Sequence, residues 1–278
     1  MNLLEVLVFW FRVSPQNVPS NSGLFLHSIL AAAAGITIGF VLFPSEASLI
    51  GVFLIAIAQG TTVHALLERN RDEVWNQPIS TFRANIKLAS GLLVVFLGIL
   101  FTYAASTLLV PVEQLLPLFD RQIGNFGGHS IADIDFDNFS GILLHNGLVA
   151  AACFLFSLLY QHGGMLLVLG WNGSVWGVVF AYIARTAPDA GSLVPTVYFI
   201  KSFLCIFPHL FLEALAYVLV AMAGVFLSKA LGKYKLDSSR FVQVGGAIFR
   251  VVLTSMALLV LASAVEAFVA PRLIDWLF

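Results

Sequence analysis

Apolar residues fall in long runs separated by short polar patches, and no run alternates with period two. Runs of this length exceed a barrel strand and suit a helix crossing hydrocarbon, which needs about 20 mostly apolar residues. The pattern predicts spans at 24–43, 47–67, 88–110, 140–161, 163–184, 196–231 and 249–270. Pro44, Pro111 and Pro271 close the first, third and last of these. The turn between the first two is so short that they should form an antiparallel hairpin. The stretch 196–231 is too long for one straight crossing, and Pro208 interrupts it. Proline suits the first position of a helix better than its interior. The reading is therefore a short outer-interface helix, a break, and a crossing helix that begins at Pro208. Residues 3–12 are too short to span. Glu5 and Arg12 bracket Phe9, Trp10 and Phe11, the pattern of an interfacial helix rather than a signal peptide. The tail 271–278 is expected to lie on the opposite interface.

Composition agrees with this pattern. Of 278 residues, 59% are hydrophobic and only 10% are charged, against about 25% charged in soluble domains. Mean hydropathy is +0.94. A soluble enzyme and a disordered tail are excluded. A net charge of −1, from 14 Lys+Arg and 15 Asp+Glu, leaves no basic field for nucleic acid. The predicted fold class is all-α: one transmembrane domain over 1–278, a polytopic helical bundle of about seven crossings. Cys153 and Cys205 lie in apolar runs and read as small hydrophobes.

Charge placement orients the chain. The loop after the second span holds Arg69, Arg71, Arg83 and Lys87, and the loop after the sixth holds Lys229, Lys233, Lys235 and Arg240. The loop 111–139 holds Arg121 but also Glu113, Asp120, Asp133, Asp135 and Asp137. Basic loops stay cytoplasmic. The expectation is a plasma-membrane protein with its N-terminus inside, and its C-terminus and loop 111–139 outside. Gly35-x-x-x-Gly39 and Gly173-x-x-x-Gly177 are spaced for close helix packing. No internal repeat is visible, which weighs against a carrier.

Polar groups at membrane depth are costly and mark candidate sites. The strongest set is His145 and Asn146 in the fourth span, Asn172 in the fifth, and His209 and Glu213 just after Pro208. His209 and Glu213 are four apart and share a helix face. Three readings stay open. The set could fasten three helices, could bind a proton or ion, or could hold a metal through His145, His209 and Glu213. No His-Glu-x-x-His motif, nucleophile elbow, Ser/Lys dyad or paired-Asp signature is present. No enzymatic activity and no cofactor are therefore expected. Asp133, Asp135 and Asp137 read as an acidic cap on the fourth span, and His129 as a loop residue. Glu266 and Arg250 sit near opposite ends of the last span, where snorkelling or a neighbouring helix could serve them. His64 reads as an inner-end residue.

Three stretches together resemble the stage II sporulation protein M family. They are SLIGVFLIAIAQG, the segment ILLHNGLVAAACFLFSLLYQHGGMLLVLGWNGSVWGVVFAYIAR, and FIKSFLCIFPHLFLEALAYVLVAMAGVFLSKAL. The last resembles a His-Gly-x-x-Glu helix, with Leu210 standing where the family has Gly. The resemblance runs over about 48–231. It points to Asn146, Asn172, His209 and Glu213 as the family's polar positions. It also implies a membrane scaffold, as in endospore formers, where the family member recruits cell-wall hydrolases. Expected partners are the lipid bilayer and either other proteins or further copies of the chain, with no nucleic acid.

Overall fold

A computed structural model of the protein describes residues 14–77, 79–125, 139–186 and 194–277. The expected interfacial segment 3–12, His129 and the acidic run 133–137 lie outside the described residues. All regular structure within them is helical: α1 (Asn21–Leu42), α2 (Ala47–Asn76), α3 (Thr81–Leu109), α4 (Leu115–Asn125), α5 (Phe139–Thr186), α6 (Pro195–Lys233), α7 (Ser239–Phe268) and α8 (Ala270–Leu277). Among the described residues, six helical stretches are long and apolar enough to cross a membrane.

Local chemistry sets the helix starts. Ser20, Ser80 and Ser238 each accept a hydrogen bond from a backbone N–H three residues on, so a serine caps α1, α3 and α7. α1 stops at Phe43, and the 3-10 turn Pro44–Glu46 sends the chain straight into α2. The two helices pack as the expected hairpin. A Cβ on Gly35 would lie 2.8 Å from the Gly51 carbonyl oxygen, and one on Gly39 would lie 2.7 Å from that of Ala47. Backbones this close leave no room for a side chain, which is what small residues at four-residue spacing achieve in hydrocarbon. Gly177 does the same between α5 and α3, where a Cβ would lie 2.3 Å from the Leu100 oxygen.

α5 covers 48 residues, but Gln161 within it has φ 53° and ψ −132° and divides it into two helical arms. A straight helix of that length would run about 70 Å, more than twice the hydrocarbon core. The chain instead doubles back at Gln161. Asn146 on one side of the break and Trp176 on the other both reach α6, at Glu213 and Tyr217, one turn apart. Gly164 sits so tightly in the reversal that a Cβ would lie 2.0 Å from the Phe156 oxygen. The two arms occupy the expected fourth and fifth spans.

Two expectations are corrected. α6 continues through Pro208 without interruption. The proline is interior to the helix rather than its first residue, and it leaves the Leu204 carbonyl without an intrahelical donor. Phe199, Phe203, Phe207 and Phe211 continue at four-residue spacing across it, with neighbouring ring centroids 5.9, 5.5 and 5.9 Å apart. This aromatic ladder on one face gives the helix a reason to stay continuous. In addition, part of the expected outer loop is structured. Residues 112–114 form a 3-10 turn and α4 follows. α4 buries Leu115, Leu118, Phe119 and Ile123 against the bundle. The Gln122 amide donates to Ser174 Oγ at 3.2 Å.

α6 is the most enclosed of the long helices, with two-thirds of its apolar window buried. It packs against α3, α5, α7 and α8. The C-terminal α8 turns back on it, and Cys205 Sγ lies 3.5 Å from the Leu273 carbonyl oxygen. The core is continuous from Leu92, Phe96 and Ile99 on α3, through Met165 and Leu169 on α5, to Val218 and Met222 on α6.

The glycine contacts make a direct test. Gly177→Ala should lower stability by about 1–3 kcal/mol, the usual cost of overpacking. Gly60→Ala, at a helical position with open space around it, should be neutral or slightly stabilising. Thermal unfolding of the detergent-purified variants separates the two.

Candidate functional site

Three helices meet at one buried polar contact. Glu213 sits on the enclosed face of α6, one turn after His209, and both are buried along with Asn146 of α5. The Asn146 amide Nδ2 donates to Glu213 Oε1 in a short hydrogen bond. The carboxyl of Glu266, from α7, neighbours that of Glu213. The bond ties the first arm of α5 to α6, and the carboxyl pair ties α6 to α7. Tyr217 is one helical turn beyond Glu213 and is also buried; its ring stands 6.4 Å from that of Trp176. His209 Nδ1 has no hydrogen-bond partner among the described residues.

The predicted residues therefore divide. Asn146, His209 and Glu213 come together. His145 is exposed on the outer face of α5. Asn172 turns its amide onto its own helix, donating to the Val168 oxygen at 2.8 Å, and takes no part in the contact. The tentative metal set of His145, His209 and Glu213 is not assembled: no three His, Cys, Asp or Glu side chains gather to hold a metal ion among the described residues. Pro208 does not break the helix, so the pair that follows it lies in an unbroken helix rather than at a helix start.

Two groups escaped the sequence reading. Glu266, near the end of the last span, is open to either snorkelling or a neighbouring helix on sequence alone and does not join the polar set. In the fold α8 continues past Pro271 and packs on α6, which places Glu266 against the bundle. The second is a buried network between α1 and α2. His27 Nδ1 lies 3.1 Å from Gln59 Oε1, and the Gln59 amide donates to Ser28 Oγ at 3.0 Å. Thr62 Oγ1 is 3.4 Å from the same imidazole. The signal was present: His27 and Gln59 are lone polar residues at similar distances on either side of the Pro44 turn, so a hairpin must bring them level.

These features define the class, a multi-pass α-helical membrane protein with hydrogen-bonded polar side chains in its core. Residues 89–271 match the family model described as Stage II sporulation protein M. The chain belongs to that family. The matched region begins within α3 and takes in Asn146, Glu213 and Glu266. No curated protein and no solved structure matches the chain.

Removing the amide should cost more than softening the acid. Asn146→Ala leaves the Glu213 oxygen without its donor and should destabilise by about 1–2 kcal/mol. Glu213→Gln keeps shape and hydrogen-bonding capacity and should cost less. Asn172→Ala should change stability little. Unfolding midpoints in detergent give the ranking, and Asn172→Ala outranking Asn146→Ala would contradict the assignment.

Proposed function

We propose that this protein is a non-enzymatic scaffold or accessory subunit of the plasma membrane, holding envelope-associated partners through its helix faces and loops. The observation that carries the reading is the family match, which covers both arms of α5, α6 and α7. The polar core supports it. Asn146 and Glu266 fasten α5 and α7 to Glu213 on the central helix, which stiffens the part of the bundle a partner would lean on. Orientation follows from the basic helix ends: Arg69, Arg71, Lys229, Lys233, Lys235 and Arg240 face the cytoplasm, with the C-terminus outside. Purification in several mild detergents should recover the same stoichiometric membrane or envelope proteins each time. A monomer or homo-oligomer alone, in every detergent, would overturn the reading.

One observation favours a second reading. Two neighbouring carboxyl groups within a bundle, with an imidazole nitrogen one turn away that has no partner among the described residues, can take up and release a proton or bind a cation. On that reading the protein couples ion movement to transport. Reconstituted vesicles should then show proton- or sodium-linked uptake that Glu213→Gln abolishes. Equal activity of the variant, or none in either, decides for the scaffold.

A further inference from the structure

The opposite end of the bundle carries a second polar feature. A cavity of about 640 Å³ opens where the C-terminal ends of α2 and α6 meet the start of α7. α2 packs against α1, α3, α4 and α5, while α7 packs against α5, α6 and α8, so a gap remains between the two groups of helices. Four cations line it, Arg71, Lys229, Lys233 and Arg250, against one carboxylate, Glu68. That carboxylate is already shared: Lys229 Nζ lies 2.6 Å and Arg71 2.9 Å from its two oxygens. Lys233 and Arg250 have no carboxylate within ion-pair distance among the described residues. Among the described residues the cavity thus keeps a surplus of positive charge.

The rest of the lining tells what kind of anion fits. Asn85, Gln243 and Tyr234 supply neutral hydrogen-bonding groups, and Phe226, Ile248 and Val251 an apolar wall. Val242, Phe249 and Leu253 on neighbouring turns of α7 are exposed large hydrophobics of the kind lipid covers. Trp75, at the rim, has the Arg240 guanidinium 4.9 Å from its ring centre. Tryptophan and arginine together at a helix end mark headgroup level. Cations and amides beside an apolar wall suit an amphiphile whose charged part is compact and multiply negative.

We propose that this cavity binds the phosphate of an anionic headgroup, with Arg250 and Lys233 as its principal ligands and Lys229 and Arg71 held in reserve by Glu68. Basic pockets between membrane helices take up phosphate headgroups by this chemistry. The site is independent of the scaffold and transport readings, since it shares no residue with the Glu213 contact.

The test uses the full chain, delipidated in detergent, with thermal unfolding and native mass spectrometry as readouts. Phosphatidylglycerol should raise the unfolding midpoint and remain bound, while phosphatidylcholine should do neither. Replacing two of the cations, in Arg250→Gln/Lys233→Gln, should weaken phosphatidylglycerol binding about tenfold or more. Lys235→Gln removes a charge from the same loop but outside the cavity and should leave binding unchanged. Glycerol 3-phosphate and inorganic phosphate identify the source. Protection by either that the double substitution removes assigns the site to a soluble phosphate, and protection by the lipid alone assigns it to the bilayer. Equal stabilisation by both lipids, or an equal loss in Lys235→Gln and the double variant, would overturn the proposal.

Discussion

The bundle depends on the reversal at Gln161. Without it, the run from Phe139 to Thr186 would be a rod far too long for a bilayer, and Asn146 would be carried away from every group it touches. A positive φ at a non-glycine residue is rare, and here the two glycines that follow let the arms close. Because the reversal is tight, the arms run antiparallel from the first turn. That brings Asn146 and Trp176, fifteen residues on either side, against neighbouring turns of the same helix. The polar contact and the aromatic packing are thus two readings of one register.

Holding that register takes more than apolar contact. Hydrocarbon offers helices no hydrophobic reason to associate, so close packing and hydrogen bonds must do it. Both occur at three of the seams. α1 and α2 meet at Gly35 and Gly39, and His27, Gln59 and Ser28 bond across the same seam. The second arm of α5 meets α3 at Gly177, and the Arg185 guanidinium at its end donates to the Thr107 and Val110 carbonyls that close α3. The first arm of α5 approaches α6 at Gly224, where a Cβ would lie 2.5 Å from the Phe154 oxygen, and Asn146 binds Glu213 farther up the same pair. Ser255 of α7 donates to the Ala216 carbonyl of α6 at 2.8 Å. Polar groups are therefore spread along the seams rather than gathered in one place.

This distribution explains what the sequence could and could not tell. The all-α class and the crossings were legible because apolar run length is a local property, and so was the α1–α2 hairpin, whose turn is only three residues. The face shared by His209 and Glu213 was legible for the same reason, four residues being one turn. Pro208 misled because the rule that proline ends a helix holds best in water. In a bundle a lone freed carbonyl is tolerable, and the phenylalanine ladder on either side outweighs it. Asn172 misled because its amide can be satisfied by its own helix, which no spacing reveals. For Glu266 a neighbouring helix was one of two options, and local spacing could not choose it because its neighbour lies on another helix more than fifty residues away.

The central helix joins two unlike ends. Glu213 and Lys229 stand sixteen residues apart on α6, about 24 Å along its axis. One belongs to an acid contact that closes three helices together. The other bridges α6 to Glu68 of α2 beside the cavity. Any change in the tilt of α7 must therefore act at both places, since α7 carries Glu266 near its C-terminal end and Arg250 sixteen residues earlier. A filled cavity would hold Arg250 and brace α7 where its packing is sparse, and an intact acid contact would hold the far end. The two features sit where a peripheral helix most needs fixing, and that gives one physical reason for keeping charged groups in a chain otherwise so poor in them.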